Sequence, residues 1–520
     1  MKNTKFGYLF LSMFLLPFSG VATAQNSSSC AALNSFSYQG ARLEITQTSW
    51  KEAGTLPGGP FAPPVTVPTH CHVEAALDRR IGVNGKEYFI GFAINLPENW
   101  NGRFLFQGGG GLNGSVEEPL GNQATGAVSA LEKGFAVVTS DSGHQGGVFD
   151  GSFMEDQEAL LNFYFLGKAR VTPIAKQITT EFYQQEISSS YFVGCSTGGR
   201  EGMIMSQRFP YYFDGIVSGA PAMRTGLSNL GIRWVAIELN KAAEKDEAGL
   251  PVQGGTFSVV EQDFIVSKVL ESCDVLDGAE DGLIFNSLSC SINTKDMMCE
   301  NDNAEGCLNE DKAVALQSAF SGPVDSQGRR VYSSYFFDTG IDDSGFISGL
   351  INGNNNPPVG APVNTVLEQD VDAEFLAAIA TDQSLGDSTS FNLSSFAGQG
   401  GKIMYYHGVS DPWFSAQDTR WYYEQMATNN GGLEAVNDWS KFYLVPGMGH
   451  CAGGEATLDT FDMLTALVDW VENDQAPEQV VATGLSMPEV SRPLCAYPYH
   501  AHYTGSGDIK NAGNFECKAD

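Results

Sequence analysis

Tyr191-Phe192-Val193-Gly194-Cys195-Ser196-Thr197-Gly198-Gly199-Arg200 is the stretch that decides the fold. Three residues of strong strand preference run into a Gly/Ser turn, and Gly199–Arg208 continues with helical character. The turn spells G-x-S-x-G. Between a strand and a helix, that pattern describes a sharp elbow that lifts a serine hydroxyl above the strand ends, at a helix N-terminus. In a chain with 59 glycines the five-letter match alone carries little, so the strand–turn–helix context carries the reading. Ser196 is the expected nucleophile; a Gly/Ser helix cap is the bland alternative.

Outward from the elbow, similar segments recur. Tyr88–Leu96 alternates weakly and stops at Pro97, Arg103–Gln107 runs into Gly108-Gly109-Gly110-Gly111, and Phe135–Val138 is continuously apolar, as buried parallel strands are. Gly215–Ser218, Lys402–Tyr406 and Lys441–Val445 continue the series. Helices are expected at Gly121–Lys133, ended by Gly134, and at Asp459–Glu472, with its stripe of Phe461, Leu464, Leu467, Val468 and Val471. This alternation predicts an α/β fold with a mostly parallel sheet. The pattern breaks up over 222–397, which reads as a large inserted lid domain. The sheet domain is therefore expected at 25–221 and 398–520.

Residues 1–24 read as a signal peptide. Lys2 and Lys5 precede an apolar run, Phe6–Leu16, too short to span a bilayer, and Ala22-Thr23-Ala24 offers a cleavage site. Residence is then periplasmic or secreted, with no membrane anchor. In an oxidising compartment the ten cysteines suggest disulfides. Cys273, Cys290, Cys299 and Cys307 lack the short spacings of zinc modules. In His70-Cys71-His72, neighbours on a strand face opposite ways, which favours a cystine flanked by structural histidines. Lys+Arg is 29 against Asp+Glu 61, a formal charge of −32. A polyanion repels nucleic acid and anionic membranes, which excludes both as partners. The composition, 42% hydrophobic and 17% charged, excludes general disorder.

A serine nucleophile needs a base. Of seven histidines, His450 fits best, in the glycine-rich loop Pro446-Gly447-Met448-Gly449-His450 after a predicted strand. Asp411, in the corresponding loop His407-Gly408-Val409-Ser410-Asp411, is the orienting carboxylate and completes the order Ser…Asp…His. Asp418 is its rival but falls in a helix-like stretch, and His407 reads as structural. Cys195 precedes the nucleophile and Cys451 follows the base. If Ser196 and His450 meet, these two cysteines should bond. The oxyanion of acyl transfer needs N–H donors. Thr197 supplies one, and the glycine run the other, at Gly111 with Gly110 as runner-up. Finally, Asp274–Leu283 packs acids among glycines. The side chains of Asp274, Asp277 and Asp281 with the carbonyls of Ala279 and Leu283 form a hard-oxygen set suited to Ca²⁺; a solvated acidic loop is the alternative.

Taken together, Phe106–Gly111, Gly194–Gly202, Gln207–Pro210, Cys273–Leu283, His407–Asp411 and Val445–Cys451 resemble the tannase/feruloyl esterase family of α/β hydrolases, over nearly the whole mature chain. The resemblance implies an α/β-hydrolase fold, the Ser196–Asp411–His450 triad, Gly111 and Thr197 as oxyanion donors and a structural calcium in the lid, with no organic cofactor. It also implies the disulfides Cys30–Cys71, Cys273–Cys290, Cys299–Cys307 and Cys495–Cys517. The expected activity is a serine carboxylesterase acting on small aromatic esters of the feruloyl, galloyl or mono(2-hydroxyethyl) terephthalate kind. Phe414 is expected on the substrate, opposite lid aromatics such as Tyr332, Tyr335, Phe336, Phe337 and Phe346. Members that take the terephthalate monoester hold its free carboxylate with a lid arginine, yet no Lys or Arg occurs between Val331 and Gly401. Weak selection for that acid follows, because a buried carboxylate without a cation is poorly stabilised. Two other classes remain open on sequence: a non-catalytic calcium-dependent binding protein, and a serine peptidase on the same frame. Oligomeric state is not written in the residues.

Overall fold

Short apolar segments with a two-residue period build the centre of the molecule. The computed structural model describes residues 25–57, 64–252, 254–300, 306–345, 347–352, 365–380 and 382–519. The leader expected at 1–24 and Phe346 lie outside the described residues. Strands β1 (Leu43–Lys51), β2 (His70–Ile81), β3 (Glu87–Pro97), β4 (Arg103–Gln107), β5 (Ala136–Ser140), β6 (Ser189–Cys195), β7 (Gly215–Gly219), β8 (Lys402–Gly408) and β9 (Ser440–Val445) form one sheet. Their order is β1-β2-β3-β5-β4-β6-β7-β8-β9. From β5 to β9 neighbours run parallel, whereas β1, β2 and β3 join antiparallel.

Both faces of the parallel part are covered. Phe104, Phe106, Phe192 and Tyr405 point to one face, against α1 (Gly167–Tyr183), α2 (Thr197–Arg208) and, beyond the insertion, a helix at Ala416–Asn429. Their chain neighbours Leu105, Val193, Met404 and Tyr406 point to the other face, against Leu464 and Leu467 of the helix Met463–Asn473. That alternation is the pleat itself. Between β7 and β8 the chain leaves the sheet. There Leu239, Phe257, Ile265, Leu316 and Phe320 form a core of their own, apart from the two sheet faces. No helix among the described residues is long and apolar enough to cross a membrane.

Two expectations need correction. Gly121–Lys133 is a run of turns, because Gly121, Ala124 and Gly126 sit at φ of 62°, 52° and 67°, where a right-handed ladder cannot pass. The Gln107 Oε1 instead accepts the N–H groups of Leu120 and Gly121. The last helix starts at Met463, not Asp459, since Thr460–Phe461 pairs with the strand Gln479–Thr483 and the Asp462 carboxylate caps Thr465 N–H at 2.9 Å. All ten cysteines are bonded, with the four pairings the resemblance implies and Cys195–Cys451. His70 and His72 flank Cys71 on β2, each hydrogen-bonded locally, to Pro68 O and to the Asn95 and Glu74 side chains.

β4 lies between β5 and β6, so the connection reverses direction there and leaves a crevice at the strand ends. The loop after β4 and the turn after β6 meet in it with almost no space. A Cβ on Gly194 would sit 2.6 Å from the Gly198 carbonyl carbon, and one on Gly198 would sit 2.8 Å from Gly109 O. Backbone on backbone cannot yield as a side chain does. Gly198→Ala should therefore cost ~1–3 kcal/mol of overpacking, read as a lowered thermal midpoint by circular dichroism; an unchanged midpoint would contradict this close approach.

Candidate active site

Ser196 occupies φ 62°, ψ −122°, a conformation that side chains rarely adopt and that costs ~1–3 kcal/mol. Its surroundings over-determine it. Ser196 N–H donates to Gly219 O at 3.0 Å, and its own carbonyl accepts from Ala222 and Arg200 N–H, each at 3.0 Å. Gly198 N–H donates to Gly109 O at 2.9 Å, tying the turn to the glycine run.

The disulfide between Cys195 and Cys451 holds their Cα atoms 5.9 Å apart. It thus brings His450 beside the serine turn from 254 positions away. His450 Nδ1 lies 2.7 Å from Asp411 Oδ2, while Nε2 is buried and makes no hydrogen bond to the described residues. A proton on Nδ1, shared with the carboxylate, leaves Nε2 as a free acceptor. Asp411 is 1% exposed. Burial pushes its pKa up, but the facing imidazoles of His450 and His407 outweigh that and hold it well below the usual carboxylate range. Its Oδ1 accepts the N–H groups of Trp413 (2.8 Å) and Phe414 (3.0 Å). His407 donates from Nε2 toward Phe414 O (2.8 Å) and Asp411 Oδ2 (3.2 Å), with Thr419 Oγ1 at its other nitrogen. It is thus a brace for the acid loop. Asp418 faces elsewhere, paired with Arg224 and accepting from Ser333 Oγ at 2.8 Å.

A cavity of about 270 Å³ opens over the serine, lined by Gly111, Ser196, Thr197, Trp413 and Phe414 among others. Trp413 and Phe414 stand 4.8 and 5.2 Å from the His450 ring centroid. Gly111 is at φ 54°, and a Cβ there would lie 2.7 Å from Val148 O. Thr197 is the first residue of α2, so its N–H has no carbonyl one turn back. Its hydroxyl donates to Gly111 O, joining the two candidate donors. Gly110 does not line the cavity.

Sequence reasoning missed several wall residues. Trp413 was legible only as a neighbour of Phe414, and Phe163 and Tyr164 come from a π-helical turn with no sequence signature. Arg200, also on the wall, is buried and gives an N–H to Phe163 O at 3.1 Å. Conversely, Tyr332, Tyr335, Phe336 and Phe337 do not line this cavity. They are packed away from it; Phe337, for example, stacks on Phe320 at 4.2 Å.

The acidic loop lies in the insertion. Asp274 accepts Gly282 N–H (3.0 Å), Asp277 accepts from Ala279 (3.1 Å) and Phe285 (2.8 Å), and Asp281 accepts from Leu283 (3.2 Å) and pairs with Arg492. Burial pushes the Asp277 carboxyl up to about 7. As these side chains lie, no trio of His, Cys, Asp or Glu among the described residues closes around one point.

The family model for tannase and feruloyl esterase matches residues 75–345 and 348–518. The mono(2-hydroxyethyl) terephthalate hydrolase of Piscinibacter sakaiensis is 34% identical over 91% of this chain and 88% of its own. Feruloyl esterase B of Aspergillus niger is 29% identical over 81% of this chain and 82% of its own. The crystal structure of feruloyl esterase B from Aspergillus oryzae covers 95% of this chain and all of that one, with a TM-score of 0.77 at 24% identity. That likeness confirms the α/β-hydrolase fold.

The disulfide at the serine turn closes a span of 256 positions, against 22 for Cys495–Cys517. Loop-closure entropy assigns roughly 5 and roughly 3 kcal/mol to the two. The double variant Cys195→Ser/Cys451→Ser should therefore unfold at a lower denaturant midpoint than Cys495→Ser/Cys517→Ser. Equal midpoints would mean that the long span adds nothing.

Proposed function

The chain belongs to the tannase and feruloyl esterase family and is a carboxylic ester hydrolase, and we propose that it hydrolyses esters of aromatic acids through an acyl-enzyme on Ser196. Ser196 Oγ attacks the ester carbonyl carbon as its proton passes to His450 Nε2. The carbonyl π electrons move to oxygen, and the N–H groups of Gly111 and Thr197 receive that oxyanion. Collapse breaks the bond to the alcohol, which leaves with the proton from His450. Water then repeats the cycle on the acyl-enzyme, with His450 as base and then as acid. Asp411 orients the imidazole and stabilises its charged form without taking the proton. One observation carries this reading: His450 is locked to Asp411 at 2.7 Å with its other nitrogen unpartnered, and a disulfide holds it beside the serine turn.

The substrate is a small ester with an aromatic acyl ring of the feruloyl, galloyl or mono(2-hydroxyethyl) terephthalate kind. Phe414 and Trp413 would flank the ring, and residues 222–397 would act as the lid. The absence of Lys and Arg from Val331 to Gly401 supports weak selection for a free ring carboxylate. Arg200, the cation on the wall, gives an N–H to Phe163 O and lies 4.5 Å from the Phe163 ring. The signal-like segment 1–24 and five disulfides support export, to the periplasm or beyond. Ser196→Ala should leave the thermal midpoint nearly unchanged and lower kcat/KM at least ~10³-fold; residual activity within about tenfold removes Ser196 from the reaction. In wild type, methyl ferulate should be cleaved at a higher kcat/KM than the terephthalate monoester, and the reverse order would refute the carboxylate argument.

The acidic loop fits calcium in its donor chemistry. Asp274, Asp277 and Asp281 with the carbonyls of Ala279 and Leu283 are all hard oxygens, and Asp277 is a buried carboxyl whose only described partners are N–H groups. Bound calcium would supply countercharge to these acids and brace the insertion, and it takes no part in the steps above. Chelation with EDTA should lower the thermal midpoint and added Ca²⁺ should restore it, with Asp277→Asn insensitive to both. A wild-type midpoint indifferent to chelation and to added Ca²⁺ would dismiss the ion.

A further inference from the structure

Asp338 lies in the insertion, outside the proposed triad, and is 0% exposed. Its Oδ2 accepts two hydrogen bonds, from Ser410 Oγ–H at 2.8 Å and from Gly447 N–H at 2.7 Å. Oδ1 is buried and makes no hydrogen bond to the described residues. The two donors are placed tellingly. Ser410 immediately precedes Asp411 on the loop after β8, and Gly447 precedes His450 by three residues on the loop after β9. One carboxylate oxygen thus pins both loops at once. The insertion closes over this point: Gly340 N–H donates to Ser410 Oγ at 3.0 Å, and a Cβ on Gly340 would lie 2.5 Å from Gly447 O. The two loops touch directly as well, through Ser410 N–H to Met448 O at 3.0 Å.

We propose that Asp338 is a positioning residue, which sets the distance and angle between Asp411 and His450 by fixing Ser410 and Gly447 on a single oxygen. The inference rests on the triad reading above but concerns a residue of the insertion. Physically, a fully buried carboxylate is costly and persists where its hydrogen bonds hold a geometry the site uses. Burial pushes its pKa up, and the N–H and O–H groups aimed at it oppose that. Beyond those groups and the Trp413 and Phe414 rings, the titratable side chains that face Asp411 and His450 among the described residues are His407, on the β8 side, and Tyr335, from the insertion. Removing the Asp338 carboxylate leaves Gly447 N–H and Ser410 Oγ–H without their acceptor, and the two loops are then joined only through backbone contacts such as Ser410 N–H to Met448 O. The Asp411–His450 contact then loosens, the imidazolium is less stabilised, and the base protonates at lower pH.

The test compares Asp338→Ala, Asp338→Asn and Ser410→Ala with wild type, counting active molecules by fluorophosphonate titration of Ser196. Asp338→Ala should lower kcat per titrated site about 10- to 100-fold with KM nearly constant. The acid limb of its kcat/KM profile should move to lower pH by about half a unit or more. Asp338→Asn keeps an acceptor oxygen and should hold kcat within about threefold, with the limb in place. Ser410→Ala removes one of the two bonds, and should fall between them even if Asp338→Ala does not fold. The downfield proton resonance of His450 Nδ1–H should be present in wild type and Asp338→Asn, and shifted or lost in Asp338→Ala. A loss of active sites without any change in the pH limb or the resonance would reduce Asp338 to a structural role and overturn the proposal. So would equal limb shifts in the Asn and Ala variants, which would assign the effect to charge. The resonance reads the geometry independently of turnover, so failure of the ester-hydrolase reading would show as absent fluorophosphonate labelling while the resonance still decided the role of Asp338.

Discussion

The site depends on one covalent constraint. A serine at a strained turn after β6 and a histidine from the loop after β9 belong to segments 254 positions apart, and the bond between Cys195 and Cys451 lies directly beside both. The magnitudes favour this arrangement. The unusual backbone at Ser196 costs ~1–3 kcal/mol, and closing the long span offsets roughly 5 kcal/mol of chain entropy. Cys451 itself sits at φ 70°, so the turn after the histidine is as constrained as the turn that carries the serine. The bridge does more than stabilise: it converts a distance between two loops into a fixed quantity.

The sheet supplies the rest of the placement. Because β4 lies between β5 and β6, the glycine run after β4 and the serine turn after β6 emerge side by side. Only glycines allow them to approach as they do, since Gly108, Gly194 and Gly198 lie with their backbones within van der Waals distance. The two candidate oxyanion donors then follow different strands, Gly111 after β4 and Thr197 after β6, but share one contact, the Thr197 hydroxyl on Gly111 O. Fold and chemistry are thus linked at the level of missing side chains.

The elements legible in the sequence were those whose signal is local. β4, β5, β6, β7, β8 and β9 are apolar runs ending at glycines or turns, and the elbow, the acid loop and the histidine loop carry recognisable spacing. What stayed hidden depends on tertiary partners. β1 shows an irregular pattern because its pairing with β2 shifts register between Ile45 and Gln47, which breaks the side-chain alternation partway along the strand. The 121–133 segment has helical composition, and nothing in it reveals that three of its residues turn left-handed to hand N–H groups to Gln107 and to meet Asp462. Tyr332, Tyr335, Phe336 and Phe337 suggested a substrate cover by residue type alone; their packing, such as Phe337 on Phe320, places them off the cavity. Asp338 is the clearest case. No spacing links it to Ser410 or Gly447, and only the fold shows that one oxygen serves both.

Buried charge around the site follows the same logic. Beneath the elbow, Lys168 and Glu201 form an ion pair at 2.9 Å with side chains 3% and 2% exposed. Such a pair is weak evidence for stability, because the desolvation of both ions offsets their attraction. Its geometry suggests a different use. Glu201 Oε2 accepts Gly109 N–H at 2.9 Å, and its other oxygen takes Ser142 Oγ–H at 3.1 Å and the Lys168 ammonium. A carboxylate held by a buried cation is a strong, rigid acceptor, and here it holds the glycine run that carries Gly111. Glu201 behind the glycine run and Asp338 between the two later loops therefore play parallel parts. In each, a buried acid holds backbone of the candidate site, Gly109 in one case and Gly447 in the other.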